Sequence, residues 1–217
     1  MIEFLPILLD GARVTVEITV AATVVAVLLA FASALSRLSR STALRGVSAV
    51  YVELFRGTSL LVQLFWLFFV LPHFGITLTP FQTAALGLGL NIGAYGSEVV
   101  RGAVLAVPSG QAAAGAALGL TRFQVMRHIV LPQALLRMLP LWGNLLIELL
   151  KGTSLVSLIT VSDLAFRAYQ LNQATFRTTE IFTMVLVIYG SLALLIVACT
   201  RGLERRLGRH MPAREIV

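Results

Sequence analysis

The sequence is poor in charge and in cysteine. Only 12% of its 217 residues are Asp, Glu, Lys or Arg, about half the share found in soluble domains. Cys199 is the single cysteine and lies within an apolar run, which excludes a disulfide framework and a cysteine-based metal site. With 58% hydrophobic residues and a mean hydropathy of +0.89, the composition excludes a soluble surface and indicates an integral membrane protein.

Sequence motifs of covalent chemistry are also missing. The three histidines, His73, His128 and His210, are scattered, and neither H-E-x-x-H nor G-x-S-x-G occurs. No nucleotide-binding G-x-x-x-x-G-K-[ST] occurs either. We therefore expect a chain that is not an enzyme and that binds no metal and no cofactor. Glu3 and Asp10 precede the first basic residue, so we expect no cleaved signal peptide.

Five stretches are apolar enough to cross a bilayer, when about 20 apolar residues count as one crossing. They predict an all-α integral membrane protein whose single domain spans residues 1–217. The stretch at residues 162–180 is too polar to cross, so we expect an extracytoplasmic loop or surface helix there. The five predicted crossings are residues 14–35, 60–71, 83–107, 139–161 and 181–200.

The basic residues predict the orientation of these crossings. An odd number of crossings puts the two ends on opposite sides of the membrane. Thirteen arginines lie on the side of the C-terminus and three, Arg13, Arg167 and Arg177, on the other. Because cytoplasmic loops are enriched in basic residues, we expect the N-terminus outside and the C-terminus in the cytoplasm. The basic tail there comprises Arg201, Arg205, Arg206, Arg209 and Arg214.

Residues 107–132 are the least membrane-like segment of the chain. Pro108 should end the preceding helix, and Ser109 is expected to cap a short alanine-rich helix. Gly119 is placed to end that helix. Thr121 and Gln124 form a capping-box pattern that starts a second helix, which we expect to close at Leu131-Pro132. The pattern predicts a helix-turn-helix at residues 108–132, facing the cytoplasm.

This segment resembles the EAA coupling loop of ABC-importer permeases, in which E-A-A, three residues, G and nine residues precede I-x-L-P. Gly119 and Ile129-x-Leu131-Pro132 match that spacing, whereas E-A-A here reads Ala113-Ala114-Gly115. The chain is similar to the polar amino-acid permeases of the histidine/glutamine type over nearly its whole length. Residues 53–65, 93–102, 131–140 and 151–157 carry the rest of the resemblance.

The resemblance implies a type I permease subunit of an ABC importer in a bacterial inner membrane. It implies four kinds of partner: cytoplasmic ATPase subunits that use ATP and Mg²⁺, a second permease copy or paralogue, an extracytoplasmic solute-binding protein, and the lipid bilayer. It implies no binding of nucleic acid. The loop would then contact an ATPase subunit. The residues expected to make this contact are Gln111, Ala113, Ala114, Gly115, Gly119, Leu120 and Arg122.

A DNA-binding helix-turn-helix is the alternative interpretation of this segment. Its second helix carries Arg122 and Arg127, and the net charge of +7 would suit a phosphate backbone. A DNA-binding motif needs a soluble core around it, whereas apolar crossings flank this segment on both sides. We therefore favour the coupling loop.

Polar residues within the fourth crossing are candidates for a substrate pathway, because a charge at the centre of a span costs about 2.5–3.5 kcal/mol. Glu148 and Lys151 lie on one helix face, with Asn144 one turn earlier. The two charges could bind the carboxylate and ammonium groups of a zwitterion. They could also neutralise each other or fix a neighbouring helix.

The third crossing carries a second polar face. Asn91, Tyr95 and Glu98 recur at helical spacing, and we include them in the substrate pathway. Glu98 could instead pair with Arg101. Four glycines of this crossing suit close approach between helices: Gly87, Gly89, Gly93 and Gly96.

An internal similarity links two segments. Residues 53–60 and 148–155 share the frame E-L-x-basic-G-T-S-L. Gly-interrupted segments at corresponding places in two halves of a transporter indicate a site built from broken helices. Short frames also recur by chance in leucine-rich chains. The similarity is therefore compatible both with a structural repeat and with coincidence.

The expected function is ATP-driven import, with closure of the ATPases coupled to alternating access. The resemblance implies polar amino acids or related small zwitterions as the substrate class. Residues 148–169 and 64–72 are similar to ectoine and hydroxyectoine permeases of the same family, which makes ectoine a candidate substrate. One alternative is a self-sufficient channel or secondary carrier, in which the loop is a surface hairpin. Another is a non-transporting scaffold, which would leave the charges of the fourth crossing without a purpose.

Overall fold

The computed structural model describes residues 2–207, and every element within this range is helical. Shorter 3-10 or π-helical segments occur at Ile2–Phe4, Trp66–Val70, Leu71–Phe74, Met126–Val130 and Thr153–Ile159. Arg209 and Arg214 of the predicted basic tail lie outside the described residues, as does His210. The α-helices are α1 (Leu5–Arg37), α2 (Thr42–Gly57), α3 (Leu60–Phe65), α4 (Pro80–Leu105), α5 (Ser109–Ala117), α6 (Arg122–Val125), α7 (Leu131–Gly152), α8 (Leu164–Thr175) and α9 (Thr178–Leu207).

Three helical stretches of residues 2–207 are long and apolar enough to cross a membrane: Leu5–Arg37, Arg122–Ile159 and Thr178–Leu207. A fourth would be the pair Thr42–Gly57 and Leu60–Phe74, bent by 108° at a short break, if it counts as one span. The helix of the predicted third crossing, α4, is less apolar, because it contains several glycines together with asparagine, glutamate and arginine. It is nevertheless the most interior helix of the bundle.

The packing of α4 against α1 explains its glycines. A Cβ atom added to Gly89 would lie 2.6 Å from Val25 Cβ, and one added to Gly96 would lie 3.1 Å from Ala30 Cβ. The predicted close approach of helices at these glycines is therefore confirmed. The order of the contacts, 25 with 89 and 30 with 96, shows that α1 and α4 run parallel.

The helices α7 and α9 alternate in direction. Trp142 near the middle of α7 packs on Gly96, whereas Gly152 at its end packs on Leu88, so α7 is antiparallel to α4. The return of α9 brings Thr200 against Gly143. The fully buried core lies where α1, α4 and α7 meet.

Two helix boundaries differ from the prediction. The helix after Thr121 does not close at Leu131-Pro132 but continues into α7. The π-helical turn at Met126–Val130 widens the helix just before Pro132, and this geometry accommodates a residue that has no backbone N–H to donate. At the start of α5, Pro108 rather than Ser109 occupies the N-cap position.

Most of the polar stretch at residues 162–180 forms the helix α8, and its last residues, from Thr178, begin α9. A helix was one of the two predicted alternatives for this stretch. Asp163 caps α8, with its carboxylate accepting a hydrogen bond from Phe166 N at 3.0 Å. Leu164 and Ala168 are fully buried where α8 packs against α1 and α9. The helix ends at Phe176, which has a left-handed backbone conformation with φ of 54°.

Candidate coupling hairpin and substrate cavity

The predicted helix-turn-helix exists and is closed by local hydrogen bonds. At the end of α5, Leu120 N donates to Gly115 O at 3.2 Å, and Gly119 adopts a φ of +78°. This left-handed conformation is one that glycine adopts without steric cost. The next helix starts with the predicted capping box, in which Thr121 N donates to Gln124 Oε1 at 2.8 Å and Gln124 N donates back to Thr121 Oγ1. We call residues 109–130 the coupling hairpin.

The hairpin presents most of the predicted contact residues to its surroundings. Gly115 is the exception: it is buried between the two helices, and a Cβ atom there would lie 2.6 Å from Ile129 Cδ1. Its small size serves the packing of the hairpin itself, and its contact with a partner stays a prediction. Leu120 is half-buried. The exposed members are Gln111, Ala113, Ala114, Gly119 and Arg122.

Two large apolar side chains on the hairpin were not among the predicted contact residues. Leu118 is 82% exposed and Phe123 is 70% exposed, one on each side of the turn at Gly119. The available signal was the occurrence of large apolar residues at positions where a surface turn is normally polar. Exposed apolar groups rimmed by polar residues are typical of protein-protein contacts.

The hairpin is fixed to the helical bundle behind it. Val107, which leads into the hairpin, is buried in the main core, and Leu120 packs against that core. Arg137 of α7 donates from Nη1 to Ala106 O at 2.6 Å and so joins α7 to the end of α4. A displacement of the hairpin would therefore be transmitted to both α4 and α7.

An open cavity of about 370 Å³ lies between α3, α4 and the end of α7. It brings Asn91 together with Glu148 and Lys151, three of the six residues predicted for the substrate pathway. Glu148 and Lys151 are both exposed, and neither forms an ion pair within the part of the chain that the structure describes. The interpretation that they neutralise each other is therefore wrong for this arrangement.

The polar face of α4 holds the bent α2–α3 segment. Asn91 Nδ2 donates to Phe55 O at 3.0 Å and to Gln63 Oε1 at 3.1 Å. Gln63 is itself nearly buried and donates from Nε2 to Phe55 O, Thr58 O and Thr58 Oγ1. These bonds satisfy main-chain carbonyls at the break, which the helices leave without partners. Gln63 is not among the residues predicted for the site, and its role was missed because its partners come from the break between two helices.

Further along the same face, Tyr95 and Glu98 contact arginines rather than the cavity. The guanidinium of Arg56 lies 5.3 Å from the centroid of the Tyr95 ring. Glu98 accepts hydrogen bonds from Arg37 and, at 2.8 Å, from Arg101. Glu98 thus joins α1 to α4, and the predicted pairing with Arg101 is confirmed.

Asn144 lies apart from the other pathway candidates. It lines a separate cavity of about 270 Å³ between α7 and α9, together with Thr200, Arg201 and Glu204. The helical turn between Asn144 and Glu148 therefore divides two cavities. The structure brings Asn144 to neither Glu148 nor Lys151.

Both copies of the E-L-x-basic-G-T-S-L frame coincide with a change in helix geometry. The first spans the 108° corner between α2 and α3. The second spans the end of α7, where the chain continues as the 3-10 segment Thr153–Ile159. A Cβ atom on Gly152 would lie 3.4 Å from Leu60 Cδ2, so the two frames are in contact at the cavity. The first copy forms a sharp corner, whereas the second lies within the continuous helical stretch Arg122–Ile159, so the copies are not equivalent in shape.

Within residues 2–207, no cluster of three or more His, Cys, Asp or Glu side chains could hold a metal ion. The polar groups that line the cavity are the Glu148 carboxylate, the Lys151 ammonium group, the Asn91 amide and the Ser154 hydroxyl. Such a set can bind opposite charges on one small molecule.

Comparison with known proteins places these features in a family. Residues 22–209 match the family model described as binding-protein-dependent transport system inner membrane component. The probable amino-acid ABC transporter permease protein y4tF of Sinorhizobium fredii is 43% identical over 205 residues, covering 92% of this chain and 86% of that protein. The L-cystine transport system permease protein TcyB of Bacillus subtilis is 38% identical over 210 residues, covering 96% and 90%.

A solved structure agrees with the sequence comparisons. The crystal structure of an amino acid ABC transporter with histidines contains a chain that superposes with a TM-score of 0.88 at 32% identity, covering 95% of this chain and 96% of that one. The coupling hairpin and the cavity thus lie on a fold shared with ABC transporter permeases. The chain belongs to the family of inner-membrane components of binding-protein-dependent transport systems.

Proposed function

We propose that this chain is the permease subunit of an ATP-driven importer for polar amino acids or related small zwitterions, ectoine among them. The observation that carries the proposal is the cavity that holds Glu148 and Lys151 unpaired beside Asn91. A small zwitterion carries a carboxylate and an ammonium group that match these two charges. Both charges are oriented toward open space, which a purely structural ion pair would not require.

The direction of the helices supports five crossings. The parallel pair α1 and α4 requires the bent α2–α3 segment to return the chain between them, and α7 and α9 then add two more crossings. In this arrangement the N-terminus and α8 lie outside, and the coupling hairpin lies in the cytoplasm. The excess of arginine on the hairpin side agrees with this orientation.

ATP hydrolysis would occur in separate subunits, which would hold ATP and Mg²⁺. The hairpin is suited to bind such a subunit, since Leu118 and Phe123 are exposed beside the rigid turn at Gly119. Its attachment to both α4 and α7 gives a path from ATPase closure to the cavity, which lies between these helices. A second permease copy or paralogue would complete the path, and a solute-binding protein would deliver the substrate from outside.

Reconstitution tests the proposal. The tagged chain would be purified from its native membrane, the proteins that stay bound would be identified, and uptake by proteoliposomes of the complex would be measured with amino acids and ectoine. ATP-dependent, vanadate-sensitive uptake with a bound ATPase is expected. Uptake by the isolated chain without ATP would contradict the proposal and support a channel or carrier.

A further inference from the structure

A buried polar cluster lies at the start of α8, away from the cavity and the coupling hairpin. Asp163, Thr15 and Thr153 have no solvent-exposed surface. They belong to the α8 cap, to α1 and to the 3-10 segment after α7. Tyr189 of α9 extends into the same place, with its hydroxyl beside all three side chains. Four parts of the bundle therefore meet around one carboxyl group.

The two oxygens of this carboxyl group differ. Oδ1 accepts the capping hydrogen bond from Phe166 N at 3.0 Å. Oδ2 is buried and, like the Tyr189 hydroxyl, makes no hydrogen bond of good geometry among residues 2–207, although the hydroxyl lies close enough to the carboxylate to lower the pKa of Asp163. An unpaired buried carboxylate oxygen is costly. A proton on Oδ2 would remove the charge and provide a donor that the Tyr189 oxygen can accept.

Within the part of the chain that the structure describes, no basic side chain pairs with the carboxylate of Asp163. On α8, Arg167 donates instead to Asp10 of α1, with Nη2 3.2 Å from Oδ2. The other neighbouring elements present hydroxyl groups, Thr153 from the 3-10 segment and Tyr189 from α9. Burial of Asp163, which lies between the candidate spans, therefore raises its pKa to about 6.

We propose that Asp163 is a proton-binding site at the outer end of the bundle and that its proton stabilises the closed cluster of Thr15, Thr153, Asp163 and Tyr189. The location of Asp163 at the outer end of the bundle rests on the proposed function and orientation. Any arrangement that separates α8 or α9 from α1 admits water to Asp163 and lowers its affinity for the proton. By linkage, the closed cluster is favoured below a pH of about 6 and is released as the pH rises.

The transport test uses the complete importer in proteoliposomes, with a constant inner pH and an outer pH set on either side of 6. Wild-type uptake is expected to fall as the outer pH drops. Asp163→Asn keeps a good helix cap but cannot ionise, so its uptake should stay at the low acid level throughout. Tyr189→Phe removes a hydroxyl group whose hydrogen bond lowers the pKa of Asp163, so it should shift the profile to higher pH. Glu17→Gln, which changes an exposed carboxylate of α1 that pairs with Arg13, should leave the profile unchanged.

A second measurement tests the proton site independently of the proposed transport function. Thermal unfolding of the purified chain needs neither ATP nor partners. Because burial raises the pKa of Asp163, its stabilising proton is lost as the pH rises through about 6. As the pH rises, the melting temperature of the wild type should therefore fall relative to that of Asp163→Asn. A constant difference between the two proteins at all pH values, or an unchanged uptake profile in Asp163→Asn, overturns the proposal. Absence of any ATP-driven uptake overturns the proposed function alone.

Discussion

Gln63 of α3 and Asn91 of α4 share a buried hydrogen bond, with Asn91 Nδ2 3.1 Å from Gln63 Oε1. Both side chains also bind the main chain of the α2–α3 corner, at Phe55 and Thr58. The two amides thus replace helical hydrogen bonds that the chain loses at its break. Asn91 also lines the cavity that contains Glu148 and Lys151. The position of this side of the cavity therefore depends on the hydrogen bond between Gln63 and Asn91.

Replacement of Gln63 should therefore affect both stability and transport. We expect Gln63→Leu to lower the free energy of unfolding by roughly 1–3 kcal/mol, because Asn91 and the carbonyls at the corner lose buried partners. We also expect a higher KM for uptake, since the cavity wall loses its support. Gln170→Leu changes an exposed glutamine of α8 and is the control. Equal effects of the two substitutions on thermal unfolding would contradict the role of the pair.

Gly119 is expected to determine coupling to the ATPase. Gly119→Val puts a β-branched residue at a φ of +78°, which costs about 1–2 kcal/mol and distorts the exposed turn. ATP-driven uptake should be lost while membrane insertion is retained. Gly110→Val is the matched control, because Gly110 lies in the same hairpin, has open space around it and has no positive φ. Normal uptake by Gly119→Val would exclude this turn from the ATPase contact.

Phe123 should supply binding energy without contributing to the fold. Since its ring is 70% exposed, Phe123→Ala should leave thermal unfolding of the purified chain nearly unchanged. Loss of an apolar contact of this size should weaken ATPase binding roughly tenfold or more. Leu186→Ala, at an equally exposed position of α9, should have no effect on this affinity. A titration of detergent-solubilised permease with the ATPase subunit gives the comparison.

The charges of the cavity should determine its preference for zwitterions. Glu148→Gln and Lys151→Gln should each raise the KM roughly tenfold or more, because each removes a charge-assisted contact to the substrate. Neither should destabilise the protein, since both residues are exposed and lack ion-pair partners within residues 2–207. Glu53→Gln changes the corresponding acid of the first E-L-x-basic-G-T-S-L frame and should leave the KM unchanged. A lower melting temperature at unchanged KM would identify Glu148 and Lys151 as structural.

Much of the local structure follows from the sequence, because caps and glycines act over a few residues. The turn at Gly119 and the capping box of Thr121 with Gln124 illustrate this. The continuation of the helix past Pro132 was not predictable in the same way, since it depends on a π-helical turn whose local sequence, Met126–Val130, carries no glycine or proline.

The candidate site was predictable only in part, because a helical face does not reveal its neighbours. Asn91, Tyr95 and Glu98 do share a face, but tertiary contacts divide it between the α2–α3 corner and the arginines around Glu98. Asn144 and Glu148 are one turn apart, yet two different cavities adjoin them. Gln63 gave no periodic signal, since its partners come from an irregular break rather than from a regular helix.

The tight fit of α4 against α1 also limits how the bundle can move. Because Gly89, Gly93 and Gly96 lie directly against α1, a slide of α4 along α1 would press side chains into this interface, and the tight packing opposes it. The helix α9 is less enclosed, since 17% of its most apolar stretch is buried, compared with 39% for α1. We therefore expect α9 and the corner between α2 and α3 to move more easily within the subunit, and α1 and α4 to move together.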